Sequence, residues 1–127
     1  TAITDIPTAL VLASAGEITS GNNLNTYPAI APIDMTITEM FGYITMPEAV
    51  SSSSSSSAGD TIDLRVYNVT QNQTVGTITF SSSDTTGVLQ STLSNGSVSK
   101  NDILRLDCTN EGFTASNPYI QIRTIRS

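Results

Sequence analysis

The sequence predicts an all-β protein: one antiparallel β-sandwich, jelly-roll-like, of about eight strands. Three observations predict it. Val, Ile and Thr are plentiful while Lys and Glu are scarce, a composition that suits strands better than helices. Short segments alternate apolar and polar residues, and none carries a helical period. Turn-forming residues interrupt the chain at the spacing of a sandwich.

Taken in order, ALVLA at 9–13 is a short apolar run between Pro7 and Gly16 and reads as a buried or docked strand. GNNLNTYPAIAP, from Gly21 to Pro32, is rich in turn formers and holds two prolines, so it is irregular or an edge segment. DMTITEMFGYITMP at 34–47 is a long strand. Its apolar phase slips where Ile37 and Met40 stand three apart, which predicts a β-bulge near Glu39–Phe41, helped by Gly42. TIDLRVYN turns Ile62, Leu64 and Val66 to one face and Asp63, Arg65 and Tyr67 to the other. NVTQNQ links it as a hairpin to TVGTITF at 74–80, where Ile78 and Phe80 share a phase. GVLQSTL at 87–93 is a weaker strand before the Asn95-Gly96 turn. DILRLDC at 102–108 points Leu104, Leu106 and Cys108 inward and Asp107 outward, and YIQIRTI at 119–125 closes the chain with Ile120 and Ile122 inward. Asp60 and Asp102 each precede an alternating run and are expected to bond local backbone and launch the strand.

The run SSSSSSSAGD at 51–60 raises the question of a domain boundary. Residues 1–50 offer at most three strands, too few to close a core, so Ser51–Ser57 is expected to be a surface loop of one domain. The chain divides into an N-terminal docking segment or pair of edge strands at 1–33 and a sandwich at 34–127. No window is apolar enough to span a membrane, and no basic n-region marks a signal peptide.

The chemistry is mostly exclusion. The chain has no histidine, which rules out a Ser-His-Asp or Cys-His arrangement and a histidine zinc site. The single cysteine, Cys108, shares the phase of Leu104 and Leu106 and reads as core; alone it makes no internal disulfide and argues for no oxidising compartment. No phosphate-binding glycine loop occurs. The carboxylates at Asp63 and Asp107 read as solvated surface acids, and Asp60, Asp63 and Asp84 fit no calcium-loop spacing. No catalytic residue, metal or cofactor is expected. Residues 1–64 hold seven acids and no Lys or Arg, and the whole chain is −6, so nucleic acid is not an expected partner. Sequons at Asn68, Asn72 and Asn95 read as turn residues.

ITEMFGYITMPEAV, GDTIDLRVYN, TVGTITF, NDILRLDC and PYIQIRT together resemble the small β-sandwich modules of tailed-phage virion proteins. The resemblance spans residues 34–125. It implies a structural or binding role in the virion, as a capsid decoration (cement) protein or a tail-fibre module, with the major capsid protein or other virion subunits as partners, and it brings no catalytic residues. The compact length favours a decoration protein on the capsid surface, as a homo-oligomer. Ile6, Leu10, Leu12, Ile18, Leu24, Ile30 and Ile33 lie in a segment where Glu17 is the only charge, and are the expected partner contact. On that reading a chain beginning at Asp34 would stay folded. The alternative is a receptor- or carbohydrate-binding module, with Tyr67 as the exposed sugar contact.

Overall fold

A computed structural model describes residues 7–19, 21, 28–45, 61–81, 83–84 and 86–126. The serine run, with the loop expected there, and the candidate contacts Ile6 and Leu24 lie outside the described residues. Nine strands follow one another: β1 Pro7–Ala13, β2 Ala29–Ile30, β3 Met35–Thr45, β4 Thr61–Asn68, β5 Gln73–Ser81, β6 Val88–Gln90, β7 Ser97–Val98, β8 Ile103–Glu111 and β9 Ser116–Arg126. No helix occurs among the described residues.

The strands form two antiparallel sheets. One has the order β1-β9-β3-β6, with β7 also paired to β3; the other has the order β2-β8-β4-β5. Among the described residues, β4 and β5 are the one pair of consecutive strands that are also hydrogen-bonded neighbours. Elsewhere, except between β6 and β7, which both pair with β3, the chain passes from sheet to sheet, so both sheets are assembled from distant parts of the sequence.

Period-two alternation explains the core. Ile62, Leu64 and Val66 from β4, Ile78 and Phe80 from β5, and Leu104, Leu106 and Cys108 from β8 are buried between the sheets. Met35, Ile37, Met40 and Ile44 of β3 and Ile120 and Ile122 of β9 face them from the other sheet. Burying each large side chain is worth about 1.5–3 kcal/mol. Gly42 keeps the two layers close: a Cβ there would come within 2.7 Å of the Phe80 ring and 3.0 Å of Ile78 and Ile120.

The slip of phase in β3 is a bulge, slightly earlier than expected. The register to β9 shifts between Ile37 and Glu39, so that Thr38 is the additional residue. A second shift lies between Tyr43 and Thr45. The weak strand expected at 87–93 is shorter, Val88–Gln90. Beyond it, Ser94 and Asn95 turn their backbone N–H groups to the Val75 carbonyl and the Asn95 side chain donates to the Thr74 carbonyl.

The N-terminal segment supplies an edge to each sheet. All seven residues of β1 pair with β9, from Pro7 opposite Ile125 to Ala13 opposite Tyr119. The chain then runs beside the start of β9, with Ile18 N–H bonded to the Ala115 carbonyl, and in the second sheet Gly21 and then β2 pair with β8. This corrects two expected partner contacts. Leu12 and Ile18 are 0% and 1% exposed and belong to the sandwich's own core. β1 looks detachable in sequence because it is short and bounded by Pro7 and Gly16, yet its alternation sends Leu12 inward.

Candidate functional site

The two outer faces of the sandwich differ in chemistry. On the β1-β9-β3-β6 sheet, the register lines up Val11, Gln121, Phe41 and Leu89 in one row across the strands. The next row holds Ala13, Tyr119 and Tyr43. Leu89, Val11, Tyr43 and Tyr119 are 53%, 44%, 41% and 39% exposed, and Phe41 is half-buried. Outward positions of a solvated antiparallel sheet are ordinarily polar. Here aliphatic and aromatic side chains from β1, β9, β3 and β6 share two neighbouring rows, with Gln121 among them. Gly87 shapes one side of the patch. It has φ near +105°, and a Cβ would fall 2.4 Å from the Phe41 ring, so the ring closely approaches bare backbone.

A polar strip borders the patch. Arg123 donates from Nη1 to Glu39 Oε2 at 2.6 Å and from Nε to Gln121 Oε1 at 2.7 Å, and its guanidinium carbon stands 5.4 Å from the Phe41 ring centre. The bulge at Thr38 opens a shallow groove of about 580 Å³ beside this strip, lined by Ala9, Thr38, Glu39, Gln121, Arg123, Thr124 and Ile125. An apolar platform with a fixed ion pair at its rim matches the general anatomy of a protein-contact surface.

The outer face of the second sheet is ionic. Asp107 accepts from Arg65 Nε and Nη2 at 3.1 and 2.6 Å, and from Arg105 Nε and Nη2 at 2.8 and 3.0 Å. The expectation of a solvated Asp107 is corrected: its side chain is 0% exposed beneath the two arginines. Hydrogen bonding to Asp107 raises the Arg105 pKa above its ordinary value, against the opposing effect of burial. Both guanidinium carbons also stand over Tyr67, 4.8 and 4.7 Å from its ring centre, and the Tyr67 hydroxyl donates to Asn72 Oδ1. The ring expected to carry a sugar is thus engaged by cations within the fold.

A third cluster is structural. Asp102 is buried, and its Oδ2 accepts from the Ser99 N–H, Asn68 Nδ2 and Gln71 Nε2 at 2.9, 3.0 and 2.5 Å. Asn68, buried and bonded to Asp102 and the Gln71 N–H, has no room for a glycan. No group of three His, Cys, Asp or Glu side chains placed to hold a metal occurs among the described residues.

The other expected contact residues are spread over the molecule. Leu10 is half-buried against the core. Ile30 and Ile33 are exposed, and Ile30 pairs with exposed Ile103 at the far edge of the second sheet. Sequence reading missed the Val11, Tyr43, Leu89 and Tyr119 platform, because its members come from four strands whose adjacency only the register reveals.

No family model and no curated protein matches the chain. Among solved structures it is similar to a chain of one described as "Cyanophage Pam1 capsid asymmetric unit", at 12% identity and a TM-score of 0.47, over 100% of this chain and 89% of that one.

Proposed function

We propose that this protein is a structural component of a phage virion: a capsid decoration protein that docks on the major capsid lattice and stabilises it. The observation that carries this is the apolar platform on the outer face of the β1-β9-β3-β6 sheet, a surface suited to burial against another protein. With the two-residue β7 set aside, we read the strand order as that of a jelly roll, an architecture used by viral capsid and lectin domains. The virion strand motifs in the sequence support the capsid member of that pair. The role is mechanical rather than catalytic, and it works by burying area across subunit joints; a stable contact buries about 1,200–2,000 Å² in total.

The test is binding to expanded capsids assembled without the protein. Wild type should bind and raise the capsid's melting temperature. Leu89→Glu and Tyr43→Glu should each weaken binding by about tenfold or more while leaving the isolated domain's melting unchanged, since both side chains are exposed. Failure of wild type to bind would overturn the proposal. Tyr43 opposite Tyr119 gives a glycan-binding module a more open aromatic surface than Tyr67 does. Glycan affinity lost in Tyr43→Ala and Tyr119→Ala, without capsid binding, would favour that second reading.

A further inference from the structure

Each sheet of an open sandwich has two edges, and unpaired backbone at an edge is a template for another strand. Three of the four edges here are closed or short. β2 has two residues and β6 three. β5 is long, but the 90–95 segment lies along it: Ser94 and Asn95 N–H groups reach the Val75 carbonyl, the Asn95 side chain the Thr74 carbonyl, and the Gln90 side chain the Thr77 carbonyl. β1 is different. It has seven residues, runs against β9 without a register shift, and no strand among the described residues pairs with its other edge. Its sequence, PTALVLA, has none of the charges, internal prolines or bulges that usually guard an edge.

The same strand is complementary to itself. In an antiparallel pair centred on Leu10, all seven residues find a partner: Leu10 meets its counterpart, Ala9 meets Val11, Thr8 meets Leu12 and Pro7 meets Ala13. A small side chain then faces a larger one on the outer face, where Ala9 and Val11 are exposed. Charge selects the same place. The chain is −6, so two copies repel overall, and an uncharged strand is where they approach at least cost.

We propose that β1 is a pairing edge for a second copy of this chain, two β1 strands running antiparallel about Leu10 and joining two sheets into one across a twofold axis. The joined sheet would carry both apolar platforms on one side. A strand of seven residues is about 23 Å long. Its edge offers less than the roughly 800 Å² per partner of a stable contact. Backbone hydrogen bonds therefore carry the pairing, and the dimer is reversible. This inference stands apart from the capsid proposal, because it concerns the free protein.

Sedimentation equilibrium of the full chain across a wide concentration range tests it. The expected result is a monomer–dimer equilibrium, with amide exchange at alternate β1 residues slowing as the dimer forms. Val11→Lys, and separately Ala9→Lys, should raise the dissociation constant by about tenfold or more. Both sites are exposed, so the melting temperature checks that each variant stays folded. A chain that remains monomeric at every concentration overturns the proposal, as does a dimer or trimer insensitive to both lysines.

Discussion

Asp102 shows how one side chain joins distant turns. It closes the turn before β8 through the Ser99 N–H and holds the β4–β5 hairpin through Asn68 and Gln71. Burial pushes its carboxyl pKa up, but the bonds from Asn68, the Ser99 backbone and Gln71 outweigh that and leave it below the usual 3.8. A carboxyl with a depressed folded pKa contributes stability above its unfolded value and loses it as pH falls through the folded one. The wild type should therefore lose stability as pH drops below about 3.8. Asp102→Asn should be less stable at neutral pH by about 1–3 kcal/mol and show a shallower acid decline in denaturant titrations. Gly42→Ala should destabilise by about 1–3 kcal/mol in the same assay, because its methyl would enter a filled space between Phe80, Ile78 and Ile120. The launching role of Asp102 was legible from its place before an alternating run. The burial of Asp107 was not: alternation gives the face of a residue, whereas only the register shows Arg65 beside it on β4 and Arg105 two residues back on β8.

Among the elements, β3, β4, β8 and β9 were legible because each alternates over many residues, and the β3 bulge was visible as a broken period. β2 and β7, with two residues each, leave no periodic trace. β1 was legible as a strand, buried or docked, and its pairing with β9 and the burial of Leu12 decide for the core. The sequence reading lets a chain starting at Asp34 stay folded, and the structure gives the opposite expectation. Such a chain would lose Leu12, Ile18, Ala29 and Ala31 from the core and uncover the whole flank of β9. It should show no cooperative thermal transition by circular dichroism, and a sharp transition would return β1 to the role of a detachable arm. The charge cluster on β4 and β8 makes a parallel case. Asp107→Ala should destabilise by about 3 kcal/mol or more, since it leaves two guanidiniums side by side without their shared carboxylate.

At the scale of the molecule, removing four residues from Ser51–Ser57 should leave cooperative melting intact, because closure entropy changes slowly with loop length. Loss of the transition in that variant would make the run structural. The order of the strands also governs how the protein can come into being. β9 lies between β1 and β3, pairing Ile125 with both Pro7 and Thr36, yet it is synthesised after the other eight strands. Until it leaves the ribosome, β1 and β3 have no common partner, and the hairpin of β4 and β5 is the one local pairing that can form early. Such non-local topologies fold in milliseconds to seconds rather than microseconds. Stopped-flow refolding should fall in that range, and nascent chains stalled before Ser116 should be sensitive to protease where the released protein is resistant.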